Sequence, residues 1–314
     1  MQEHQIGIPA CISSSLEKLT DNPTAIAKSG QNVFVSVYRT KIAGHCRSIT
    51  VTWCKNLLLH GLSVSVEGSD EENQHTCKIE LKPWYFWKKT GSKRFLINSD
   101  NYKRPVDVFW DLRLAKFNGE AEPSSDYYVA VVSDGEVVLL LGNMKNEAYR
   151  KTGSRPALID PILISRKEHV FGKRRFGTRV RFHEKGSLHE ISIQCKQYRI
   201  SSLINGDDDD PEMEIRIDGH LVVHVKHLQW KFRGNESIRL RKGRIDVYYD
   251  VHDWLFSPGL RHALFIFKPT LFRSSSISSS SPLPSQTGSS SSLDGCTAPD
   301  APDFCLFLYA WKIE

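Results

Sequence analysis

The chain is predicted to be an all-β protein of two tandem pseudo-repeats, each an antiparallel β-sandwich or flattened barrel of about eight strands, and three observations carry that prediction. The first is internal repetition. VDVFWDL at 106–112 returns as IDVYYDV at 245–251, GHCRSITVTW at 44–53 as GSLHEISIQC at 186–195, and SVSVEG at 63–68 as EIRIDG at 214–219, all in the same order. WKKTGSKRFLI at 87–97 falls on WKFRGNESIRL at 230–240, sharing Trp87/Trp230, Lys88/Lys231 and Gly91/Gly234, with Phe95/Ile238 and Ile97/Leu240 in phase. The second is alternation of apolar and polar residues with period two, the signature of half-buried strands. The third is the lack of long stretches with helical periodicity between those segments, which argues against βαβ units and a parallel sheet. A single large sheet system in which the copies share a core is the alternative architecture.

Taken in order, residues 1–31 are polar and interrupted by Pro9 and Pro23, so a flexible N-terminal arm is expected there. The first β unit spans 32–142. Its strands are read around Val35 and Val37, around Ile49, Val51 and Trp53, and then at 62–67, 76–81, 84–89, 94–97, 106–117, 127–133 and 137–141. Asp134-Gly135 between the last two accepts positive φ and suits a tight hairpin. A connector at 143–176 follows, with a short helix around Glu147 and Ala148 that ends before Arg155-Pro156. The second β unit, 177–314, repeats the strand pattern and differs from the first at two loops.

One difference is NGDDDDP at 205–211, whose aspartates repel one another and which lacks the spacing of a calcium loop. The other is an insertion at 273–303, expected to be disordered because twelve serines between 274 and 292 leave almost no apolar surface to bury. It stands where Asp134-Gly135 joins the equivalent strands of the first unit. The final strand, FCLFLYAWK, is then required to close the second sheet.

Composition bounds the function more than it identifies it. A net charge of +6 arises from 42 basic and 36 acidic residues that are interspersed, so nucleic acid is not an expected partner. Seven cysteines, an odd number with no C-x-x-C pair, indicate neither a disulfide framework nor a zinc site, and reduced thiols in a cytoplasmic or nuclear protein are expected. The N-terminus has no secretory pattern. The longest apolar run, FCLFLYAW, is far short of the roughly 20 residues that a membrane span requires.

No motif for a cofactor, metal or nucleophile stands out, and none of these is expected. Candidate binding residues are nevertheless definable. His252 and Asp253 are adjacent in VHDWLF, where the first unit has Arg113 and Leu114. The pair could orient an imidazole for base chemistry, but neighbours on a strand point to opposite faces and no nucleophile motif accompanies them. The structural reading is that Asp253 terminates the strand while Trp254 and Phe256 pack the core. Trp84 and Phe86 in KPWYFWKK are candidates for an exposed aromatic surface, whereas Trp87, matched by Trp230, is assigned to the core. Lys173, Arg174 and Arg175 could grip a phosphate or serve as a nuclear address, although the same composition often only solvates a linker. His224 and His227 alternate to opposite faces, so they do not form a two-His metal site.

Across these segments the chain resembles one known family. TVTWCKNL, KPWYFWKKTGSK, VDVFWDL, YYVAVVSDGEVVLLLG, SRKEHVFGKRRF, DGHLVVHVKHLQWKFRGN, DVHDWLF with Pro258-Gly259, and FLYAWK are similar to the plant family catalogued as domain of unknown function 868. The resemblance covers 32–314. It implies a land-plant source and no activity, and it supplies no site residue. The expected function is therefore that of a non-enzymatic binding or interaction module with another protein as its partner. Carriage of a small apolar ligand in a β-barrel cavity is the alternative, and an enzyme using His252 and Asp253 is the third reading.

Overall fold

The computed structural model describes residues 32–55, 60–68, 74–81, 89–99, 102–171, 174–182, 186–196, 211–240, 243–259, 261–271 and 304–311. The fold is all-β. The first strands are β1 (Asn32–Ile42), β2 (His45–Lys55), β3 (His60–Glu67), β4 (Gln74–Leu81), β5 (Thr90–Ser99), β6 (Tyr102–Asp111), β7 (Tyr128–Ser133) and β8 (Glu136–Gly142). Helix α1 (Lys145–Thr152), β9 (Arg155–Pro156) and β10 (Ile162–Phe171) follow. The chain continues through β11 (Arg175–Val180), β12 (His189–Lys196), β13 (Glu212–Ile217), β14 (His220–Val225), β15 (Arg233–Leu240), β16 (Gly243–Asp250), helix α2 (His252–Phe256), β17 (His262–Leu271) and β18 (Cys305–Trp311). The expected strand at 84–89, apart from Lys89, lies outside the described residues, as do the arm at 1–31, the acidic run at 205–210 and the serine segment at 273–303.

Three two-residue hairpins tighten the sheets. Ala43-Gly44, Asp134-Gly135 and Asp218-Gly219 each put both residues at positive φ, the backbone that matches the twist of flanking antiparallel strands. Asp and Gly tolerate this region well; Ala43 is the costly member.

The strands form three sheets. Nine pair in the order β15-β16-β17-β18-β10-β1-β2-β3-β4, four in the order β11-β12-β13-β14, and five in the order β5-β6-β7-β8-β9. None of the three closes on itself, so of the two shapes expected for each unit the flattened barrel is not formed. The nine-stranded sheet also runs through both halves of the chain. Its junction is β10, which pairs antiparallel with β1 and parallel with β18. Thus the segment assigned to a connector contributes a central strand.

Alternation explains the packing. Ile49, Val51 and Trp53 of β2, with Leu62, Val64 and Val66 of β3, pack against Ile97, Val106, Val108, Val129, Val131 and Leu139 of the five-stranded sheet. A second core sets Ile191, Ile193, Met213 and Ile215 of the four-stranded sheet against Val247, Phe265, Phe267, Leu306 and Leu308. Each fully buried Leu, Ile or Phe contributes roughly 1.5–3 kcal/mol relative to exposure.

Between the two cores a charge interrupts the apolar row. Phe34 of β1 is the cross-strand partner of both Trp53 and Glu168, and Glu168 is in turn the partner of Leu308. Glu168 is completely buried, and Arg166 bridges it at 2.6 Å and Glu122 at 2.7 Å. The guanidinium also lies over the Phe34 ring, 5.2 Å from its centre. Nearby, burial and the Glu122 charge push the Tyr38 hydroxyl up to about 12.

The thiols require a correction. Cys46 is disulfide-bonded, while Cys54, Cys77, Cys195 and Cys305 are thiols. Burial pushes the Cys195 thiol up to about 12, which makes it inert rather than reactive.

Candidate binding surface at the end of strand β16

Strand β16 ends at Asp250 for a local reason. Its carboxylate accepts a 3.0 Å hydrogen bond from the backbone N–H of His252 and pairs with Arg233 at 2.8 Å. That Asx-type contact turns the chain out of the sheet and into the single helical turn of α2. Asp250, rather than Asp253, terminates the strand. Within α2, His252 and Asp253 meet: Nδ1 of the imidazole is 3.0 Å from Oδ1 of the carboxylate. The hydrogen bond from His252 is the main reason that the Asp253 carboxyl is held below its usual range.

The imidazole belongs to an aromatic group. Phe232, in the turn before β15, lies 5.1 Å from the His252 ring and 5.8 Å from Phe256, and His252 lies 5.3 Å from Phe256. Arg233 stacks over Phe232 at 5.6 Å. Phe256 is 51% exposed and Trp230, two residues before Phe232, is 79% exposed. Of the two residues of this turn that the sequence places in the core, Trp254 packs against the second core together with Leu255, whereas Phe256 faces outward. A one-turn helix has room to bury only one side, so of three consecutive large residues the third faces out.

This surface was only half visible from the sequence. His252 and Asp253 stand out by their adjacency, but Phe232 comes from a segment whose repeat partner suggests burial. The other candidates are not brought to it. Arg175 is exposed on β11, an edge strand, where it is the cross-strand partner of Gln194, and the carbonyl of Arg174 accepts from the Cys195 N–H. Trp84, Phe86 and Lys173 lie outside the described residues.

An imidazole oriented by a carboxylate needs a nucleophile or a substrate pocket beside it. The remaining ring contacts of His252 are to Phe232 and Phe256. On the outer face of the four-stranded sheet, Glu212, Glu214 and His224 place ligand atoms within 4.8 Å of one another. Glu214 is already occupied by Lys196 at 2.5 Å and Arg216 at 3.0 Å, so that group reads as a salt-bridge network rather than a metal centre.

Fold and surface together define an all-β protein of stacked open sheets with an aromatic patch at one end. The chain belongs to the family described as plant protein of unknown function (DUF868), whose model matches residues 29–312. No curated protein and no solved structure matches the chain. Among the described residues no helix is long and apolar enough to cross a membrane.

Proposed function

We propose that this protein is a non-enzymatic interaction module that docks a protein partner on the surface formed by α2 and the turn preceding β15. The observation that carries the reading is the exposure of Phe256 beside Phe232 and His252, with Trp230 exposed two residues before Phe232 in the chain. Large aromatics left in water next to a charged pair are costly to expose and are the residues that dominate binding energy when covered. The open sheets favour this over carriage of an apolar ligand, because the barrel that such a cavity needs is not formed.

The repeat enters the same reading. Gly91 faces Trp110 across β5 and β6, and Gly234 faces Tyr249 across β15 and β16. The N–H of Leu112 donates to the carbonyl of Lys89, and that of Val251 to the carbonyl of Phe232. We read these as one corner present twice and specialised in the second half by α2.

A crosslinking amino acid at position 256 or 230 tests the docking surface in plant extract. Adducts to a defined protein at these positions, but not at Arg239 of β15, support it. An identical adduct pattern at all three positions sinks it.

A further inference from the structure

The corresponding corner of the first half holds a cleft of about 360 Å3, lined by Thr90, Asp111, Arg113, Tyr128, Met144, Glu147, Arg150 and Lys151. We propose that it binds a small organic anion carrying a carboxylate or a phosphate. The proposal is independent of the α2 surface.

The cleft follows from the register. Thr90 pairs with Asp111, Asp111 with Tyr128, and Tyr128 with Gly142, so three polar side chains form one row at the end of the five-stranded sheet. Gly142 can turn sharply there because its φ is +91°, and a Cβ would strike the backbone of Tyr127. The chain then enters α1, which lies across the outer face of the sheet through Met144, Ala148 and Tyr149. Met144, Glu147 and Lys151 are spaced by three and four residues and share the helix side toward the row.

The charges select the ligand. Asp111 is buried, and its two oxygens accept from Arg113 Nε at 3.0 and 3.2 Å, from Nη2 at 2.6 Å and from the Arg113 N–H at 3.1 Å. Burial works to raise the Asp111 carboxyl, but these bonds and the charge of Lys151 outweigh it and hold the group below its usual range. The carboxylate is therefore spent on fixing one guanidinium at the rim. Arg150 and Lys151, in the last turn of α1, line the same cleft, and the charge of Lys151 already acts on Asp111. With Arg113 and Asp111 paired, the two further cations of the lining, Arg150 and Lys151, meet one further carboxylate, Glu147, which leaves the cleft with an excess of one positive charge. Hydroxyls of Thr90 and Tyr128 add donors, and Met144 offers an apolar wall. Guanidinium forks bind carboxylates and phosphates alike, which is why the two sources share one site.

The second half supplies an internal control. There His252 stands in the place of Arg113, and Asp250 is engaged by Arg233. That corner is not expected to bind the same group.

Titration calorimetry of the full chain with phenyl phosphate, benzoate and neutral benzyl alcohol provides the test. Saturable binding of at least one anion and not of the alcohol is expected. Phenyl phosphate alone indicates a phosphate ligand; benzoate alone, a carboxylate. The double variant Arg150→Ala/Lys151→Ala, checked for an unchanged melt, should weaken binding roughly 10-fold or more, the loss of one to two charge-assisted contacts. Arg239→Ala on β15 should leave it unchanged. No saturable binding by either anion overturns the proposal, and so does equal affinity in the double variant.

Discussion

Trp311 Nε1 donates a 3.1 Å hydrogen bond to Nδ1 of His169, joining residues 142 positions apart across the parallel β10–β18 pair. The imidazole must be neutral at Nδ1 to accept. It stacks on Tyr309, with ring centres 4.5 Å apart and planes 4° apart. Burial pushes its pKa down to about 4, with smaller contributions from His262 and Lys167. His262, 4.6 Å from the Trp311 ring, is lowered by burial as well, against the opposing pull of Asp253 and Asp250.

Acid should therefore loosen this seam, and the sign can be worked out. The folded pKa of His169 lies below the unfolded value of about 6.5, so the unfolded chain takes up its proton first as pH falls. Stability is fully present above about pH 6.5 and is lost progressively down to about 4, by at most ~3 kcal/mol from this group. Thermal melts from pH 7 to 4.5 should show a falling Tm. His169→Gln keeps an acceptor for Trp311 without a titrating ring and should flatten that fall. An equal slope in the variant would move the effect to other groups.

Two glycines are predicted to resist substitution for steric rather than conformational reasons. A Cβ on Gly91 would come 2.8 Å from Cζ2 of Trp110, and one on Gly234 would come 2.6 Å from Cζ of Tyr249. Gly91→Ala and Gly234→Ala should each cost about 1–3 kcal/mol by overpacking. At Gly177 the nearest atom is 3.6 Å away, and alanine there should be neutral or stabilise by up to ~1 kcal/mol. Urea midpoints of the three variants rank them directly; a tolerated Gly234→Ala would contradict the packing of Tyr249.

The ion triad around the buried Glu168 yields a third prediction. Removing the guanidinium in Arg166→Met leaves Glu168, which has no solvent exposure, without its counter-charge. A loss of roughly 3–5 kcal/mol is expected. Replacing Glu168 by Leu and Glu122 by Gln in the same chain should restore most of it, because apolar side chains suit the row between Phe34 and Leu308. Chemical denaturation of the single and triple variants gives the comparison. A single variant as stable as the parent would mean that water reaches Glu168.

These same residues show what could be read from sequence. The alternation of Ile49, Val51 and Trp53, and of Leu306, Leu308 and Ala310, announces strands with one core face, and they form so. β10 was hidden because ILISRKEHVF looks like a charged linker. Its Glu168 is buried against a half-buried Arg166 whose other partner, Glu122, comes from 44 residues away, and no local pattern encodes that partner. The α2 surface was partly hidden for the opposite reason. Phe256 has the character of a core residue, and the turn set by Asp250 sends it outward. The α1 cleft was missed altogether, since Thr90, Asp111, Tyr128 and Arg150 acquire a common position only through strand register.

The last prediction separates two neighbouring segments near the C-terminus. β18 is not an edge. It lies between β17, with which Phe267 pairs Leu306, and β10, with which Ser165 pairs Cys305. Leu306, Leu308 and Ala310 enter the second core, while Cys305 and Phe307 join Ile266 on the other face. Deleting 304–314 therefore removes the strand that links the two halves of the nine-stranded sheet and leaves two interior edges unpaired. Such a chain should be insoluble or show no cooperative melt. The segment 273–303 lies outside the described residues, and its prediction rests on the ends it connects. β17 and β18 are antiparallel neighbours, so a short Gly-containing turn can span the gap. Shortening a closed loop changes its entropy by only ~0.6 kcal/mol per halving. The turn variant should melt cooperatively within about 2 kcal/mol of the parent. Calorimetric scans of both variants decide the matter. A cooperative melt of the truncation would demote β18 to an accessory strand, and collapse of the turn variant would assign a structural role to the serine segment.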